Sequence, residues 1–255
     1  MSQNQFPYSG ERTSSPLPTN TPSPLSGVGA SPAALGVKPD ARLAAAFLSQ
    51  AFLWMFAGLL VTAGVAAAVQ SNDRLLEFAA GGFFPLLIAQ LAIVVVISGA
   101  INRLNATLAL ALFFVYAATL GITVGLIVSS YTAGSVATAF LSASAMFGAA
   151  AVYGKVTQRS LAGIGGFLIM GIVGLLVAML VNLFVGSSTI TWIISIVGVV
   201  LFTALTAYDV QRIQSGAIAA RTGSMEKAAV IGALQLYLDF VNLFLFMLRL
   251  MGGRS

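Results

Sequence analysis

The chain has 255 residues, of which 58% are hydrophobic and only 7% charged. A soluble domain carries about a quarter charged residues, so this chain cannot clothe itself in a water-compatible surface. Neither cysteine nor histidine occurs, which excludes disulfides, thiolate nucleophiles, imidazole bases and His-ligated metal centres.

In hydrocarbon every backbone N–H and C=O must pair internally, which leaves helices or a closed barrel. Barrel strands alternate apolar and polar residues over about ten positions. The apolar runs here are continuous and far longer, so the expected class is an all-α integral membrane protein solvated by the lipid bilayer.

Residues 1–40 stand apart. They hold seven of the eight prolines among Ser, Thr and Gly, as in the stretch Pro16 to Pro24. Such a segment buries too little apolar surface to offset its ordering entropy and reads as a disordered cytoplasmic tail. The transmembrane domain is then 41–255. A span needs about 20 apolar residues to cross about 30 Å of hydrocarbon. The first run is Leu43 to Val69, closed by the polar cluster that starts at Ser71 and continues to Glu77. The second runs from about Gly82 to Ile101 and stops at Asn102 and Arg103. Residues 104–154 carry no charge, enough for two spans folded at Ser129 to Ser135. Residues 160–208 repeat the device and turn at Gly186 to Thr189. A last run, about Ala228 to Leu248, holds Asp239 near its centre, bringing the count to seven.

Alternating helices place Arg12, Lys38, Arg42, Arg103, Lys155, Arg159, Arg212, Arg221 and Lys227 on one side, with Arg74, Arg249 and Arg254 on the other. The excess of basic residues puts the N-terminus in the cytoplasm. The net charge of +5 is therefore a topology signal, and nucleic acid is not an expected partner. Arg249 and Arg254 run against the bias. Small residues recur at helix-packing spacing, Gly121 with Gly125 and Ser144 with Gly148, alongside Gly163, Gly166, Gly171 and Gly174. They serve close packing within the chain or contacts between copies.

A charge at the bilayer centre costs at least about 2.5 kcal/mol, so a retained one faces inward and asks for a role. Gln235, Asp239 and Asn242 fall at i, i+4 and i+7 and form one polar stripe. Thr203, Thr206 and Asp209 offer a partner stripe on the sixth span, with Asp209 expected at the helix end. Two carboxylates brought together there can share a proton near neutral pH, binding a cation when ionised and releasing it when protonated. Calcium takes oxygen ligands, and Asp209 and Asp239 are the metal-ligating candidates. Arg103 is either a topology anchor or a gating arginine that latches a carboxylate. Arg221, Glu226 and Lys227 read as solvated surface.

The stretches Met146 to Gly154, Leu205 to Ile213 and Leu236 to Leu245 resemble the bacterial branch of the Bax inhibitor-1 family. The resemblance covers about residues 43–253. It implies seven helices with the last one central and wrapped by the other six, and a pH-sensitive calcium leak. It matches the family's proton-sensing aspartates to Asp209 and Asp239, and its gating arginine to Arg103. Eukaryotic relatives are linked to suppression of cell death, and some bacterial ones to regulation of a membrane-bound protease. Some relatives carry a carboxylate in the second span where Gln90 stands here, and a proline near Gly121 that this chain lacks.

Three functions follow as expectations. The first is a non-enzymatic cation pathway, for calcium, with no resident cofactor and gated by the aspartate pair. The second is a regulator that binds a membrane protease or another membrane protein. The third is an intramembrane aspartyl protease, which also uses two aspartates sharing a proton. The Gly-x-Gly-Asp motif of that class is absent, since Asp239 follows Leu236-Tyr237-Leu238.

Overall fold

The computed structural model describes residues 41–253, and the expectation of a disordered tail at 1–40 lies outside the described residues. The chain forms α1 (Ala41–Gln70), α2 (Asp73–Gly81), α3 (Phe83–Ala100), α4 (Ala106–Val128) and α5 (Ala133–Val156). A 3-10 turn (Ala162–Ile164) follows, then α6 (Gly165–Val185), α7 (Ser188–Gln214), α8 (Ala217–Thr222) and α9 (Met225–Met251). Seven of these, α1, α3, α4, α5, α6, α7 and α9, are long and apolar enough to cross a membrane.

Short polar side chains start the helices by accepting from otherwise unpaired N–H groups. Asn105 takes the Leu108 N–H at 2.6 Å, Thr132 that of Ser135, Ser187 that of Ile190 and Ser224 that of Lys227. The α6–α7 reversal turns on Gly186 at φ 67°, a left-handed backbone that glycine adopts without Cβ strain.

α9 is the most enclosed span, with 78% of its membrane-length window buried, against 11% for α3 and for α6. Its main span neighbours are α1, α4, α5 and α7, while α3 leans on α4 and α6 on α7. The outer helices present Phe84, Phe167 and Phe184 outward, the last 89% exposed. Apolar surface of that extent is stable against acyl chains, not water.

One expectation is corrected. α7 does not stop near Tyr208 but continues to Gln214, because Val210 and Ile213 are fully buried and carry the inner face onward. The polar cluster from Ser71 to Glu77, where the first apolar run ends, is partly helical. It enters α2, capped by Asn72, which accepts from the Arg74 and Leu75 N–H groups.

Candidate functional site

α7 and α9 pack antiparallel. A Cβ on Gly232 would meet Ile213 at 3.1 Å, and one on Gly198 would meet the Phe246 ring at 2.6 Å. These two crossings fix the register. Asp209 lies four residues before Ile213, so it is level with the position four after Gly232, which is Leu236. Asp209 thus stands between the levels of Gln235 and Asp239, and Thr206 stands level with Asp239. At about 100° per residue, Gln235, Asp239, Asn242 and Phe246 share the α9 face turned to α7. Tyr237, Phe240 and Phe244 lie on the reverse face.

Both aspartates are buried, Asp209 to 6% and Asp239 to 4% exposure. Asp209 is therefore inside its helix and inside the protein. The charge that acts on Asp239 is Asp209, and the one that acts on Asp209 is Arg212, one helical turn further on. Arg212 also lies over the Tyr208 ring, 6.0 Å from its centroid. Asp239 Oδ2 and Gln235 Oε1 are buried acceptors without any hydrogen-bond donor. Such an atom costs about 1–3 kcal/mol unless something else binds it.

The other supporting residues are satisfied locally. Thr206, fully buried, donates to the Phe202 carbonyl at 2.8 Å, and Thr203 to the Val199 carbonyl at 2.7 Å. Asn242 donates through Nδ2 to the Leu238 carbonyl at 2.8 Å. Arg103 is exposed in the turn after α3. Nearby, Lys227 Nζ donates to the Asn102 carbonyl at 3.3 Å. Among the described residues no group of three or more Asp, Glu, His or Cys side chains comes together to hold a metal.

Sequence reasoning used Arg212 only as a topology charge, although its i+3 spacing from Asp209 is a readable signal. It also missed a second polar layer. Thr62 shares its one proton between the carbonyls of Gly58, at 3.0 Å, and Ala117, at 2.9 Å. Tyr237 then donates its O–H to Thr62 Oγ1. Gln90 donates to the Thr119 carbonyl at 2.9 Å and to Thr123 Oγ1 at 2.8 Å.

The family model described as "Inhibitor of apoptosis-promoting Bax1" matches residues 44–255. An uncharacterised protein of Deinococcus radiodurans is 44% identical over 210 residues, 82% of this chain and 91% of its own. The inner membrane protein YbhL of Escherichia coli K12 is 40% identical over 224 residues, 86% of this chain and 95% of its own. An uncharacterised protein of Borreliella burgdorferi is 40% identical over 213 residues, covering 82% and 92%.

Proposed function

The chain belongs to the inhibitor of apoptosis-promoting Bax1 family, and from that premise we propose that it is a passive, proton-gated cation pathway, for calcium, across a bacterial inner membrane. The observation that carries this reading is Asp239, a carboxyl 4% exposed at the heart of the bundle whose Oδ2 has no donor. A structural acid in hydrocarbon is held by donors. An acid with a free oxygen, acted on by a second acid on the facing helix, is built to exchange a proton for a cation.

The sign of the pH dependence follows. A protonated pair carries no charge to draw a cation in, and the path is closed. As pH rises the pair ionises and the flux rises with it. Arg103 or Arg212 pairing with a carboxylate closes the path in the same way protonation does. The inner-membrane assignment rests on the seven apolar spans and on what the E. coli relative is called. The bias of basic residues supports a cytoplasmic N-terminus, with the end of the bundle nearer the aspartates on the same side.

The test is calcium flux from liposomes containing the full chain between about pH 6 and 8, with Asp209→Asn and Asp239→Asn alongside. Flux should climb with pH in the native chain. Asparagine mimics the protonated acid, so either variant should lower flux about tenfold or more and flatten the pH profile. A native profile in Asp239→Asn sinks the mechanism. Flux no greater than that of empty liposomes at every pH favours the partner-binding regulator instead. For that reading the outward glycines matter: Gly148, Gly166 and Gly174 have nothing within 4 Å of where a Cβ would stand.

A further inference from the structure

The cavity at the opposite end of the bundle from the aspartates has about 1060 Å³ of open volume. It lies between α3 and α6, which pack on different partners, α4 and α7 respectively, and so leave a gap to the side. Its walls are apolar: Phe84, Ile88 and Leu91 on α3 face Leu176 and Leu180 on α6. From Phe83 to Leu91 is about 12 Å along α3, and from Leu176 to Gly186 about 15 Å along α6. The slot thus runs from one face of the bilayer to about the midplane of 30 Å of hydrocarbon, the depth of one leaflet. At its outer end stands Arg249, in the last turn of α9, with Asn182 and Thr191 as polar neighbours in the lining. The Arg249 guanidinium sits 5.8 Å from the Phe246 ring centroid. No carboxylate pairs with it among the described residues.

We propose that this slot binds one anionic phospholipid, its phosphate on Arg249 and an acyl chain between α3 and α6. A free anion explains the arginine but not a leaflet-deep apolar slot. A zwitterionic lipid explains the slot and offers a phosphate, but it sets its own fixed cation beside the arginine, whereas an anionic lipid brings a net negative charge. The lipid also accounts for an arginine that runs against the topology bias, because Arg249, in the last turn of α9, gains a fixed counter-charge where no described carboxylate pairs with it. The site is separate from the aspartate pair and does not depend on the cation-pathway reading.

The experiment uses the purified full chain in detergent with phosphatidylglycerol or phosphatidylcholine of identical chains, read by native mass spectrometry and by thermal unfolding. The native chain should retain phosphatidylglycerol over phosphatidylcholine by about fivefold. Arg249→Gln should erase that preference, and Arg249→Lys should keep most of it. Ile88→Trp, which fills the slot and leaves the arginine in place, should lower retention of both lipids. Equal retention of the two lipids by the native chain, or an undiminished preference in Arg249→Gln, overturns the proposal. Inorganic phosphate that stabilises the chain as well as phosphatidylglycerol does would also overturn it, since the site would then be for a free anion. If Arg249→Gln does not fold, the native comparison and Ile88→Trp decide.

Discussion

The α1–α4 and α7–α9 interfaces both bury polar groups in a lipid-solvated bundle, and they treat them in opposite ways. Between α1 and α4, glycines bring backbones together. A Cβ on Gly121 would stand 2.8 Å from the Thr62 carbonyl oxygen, and one on Gly125 would stand 2.9 Å from that of Ala66. The Thr62 hydroxyl there finds two carbonyls and a tyrosine. Between α7 and α9 the contacts are larger side chains, Phe202 stacked on Phe246 at 5.9 Å, and two acceptor oxygens on α9 are left without donors. The first interface spends its polarity on holding still. The second keeps polarity unspent, and that is where the proposed pathway would give an ion or proton something to bind.

This contrast sets the signs and sizes of several substitutions. The largest stability loss should come from Gly125→Leu, which drives a side chain into Ala66 and Val69. Overpacking of this kind costs about 1–3 kcal/mol, and the upper end is expected where backbone is the obstacle. Loss of thermal stability in detergent is the measurement, and an unchanged midpoint would mean that α1 and α4 do not pack this closely. Thr62→Val should follow at about 1–2 kcal/mol, because it strands the fully buried Tyr237 hydroxyl. Thr62→Ser, which keeps the acceptor for Tyr237, should recover most of that loss.

The seven spans were legible because about 20 apolar residues is a length requirement that composition alone reveals. Turns were legible for a similar reason: Ser129 to Ser135 and Gly186 to Thr189 interrupt uncharged runs that are too long for one crossing. What hydropathy could not supply was direction. It ended the sixth span near Tyr208, although Asp209 and Val210 continue the inner face of α7 and are buried. Small-residue spacing was blind in the same way. Gly121, Gly125 and Gly171 each meet a neighbouring helix, whereas Gly148, Gly163, Gly166 and Gly174 face open space. Gln235 and Asp239 were placed on one stripe from spacing. That their oxygens lack donors depends on what α7 sets opposite them, and only the packed bundle carries that information.

The smallest expected effect is also the sharpest test of the contrast, because its sign is reversed. Gln235 Oε1 is buried with no donor, so replacing Gln235 by Leu removes an unpaired acceptor at nearly constant volume. Where a buried polar group is satisfied such a change destabilises. Where it is not, the same change should stabilise, here by about 1 kcal/mol. Thermal unfolding of Gln235→Leu beside Thr62→Val puts the two interfaces in one assay: the α9 midpoint should rise while the α1 midpoint falls. Calcium flux on the same sample separates stability from function, since a neutral oxygen one residue along α9 from the level of Asp209 is lost while both carboxylates stay. A raised midpoint with reduced flux fits an oxygen kept free for a cation. A lowered midpoint would mean that Gln235 is paired in the membrane and that α7–α9 is a satisfied interface like α1–α4.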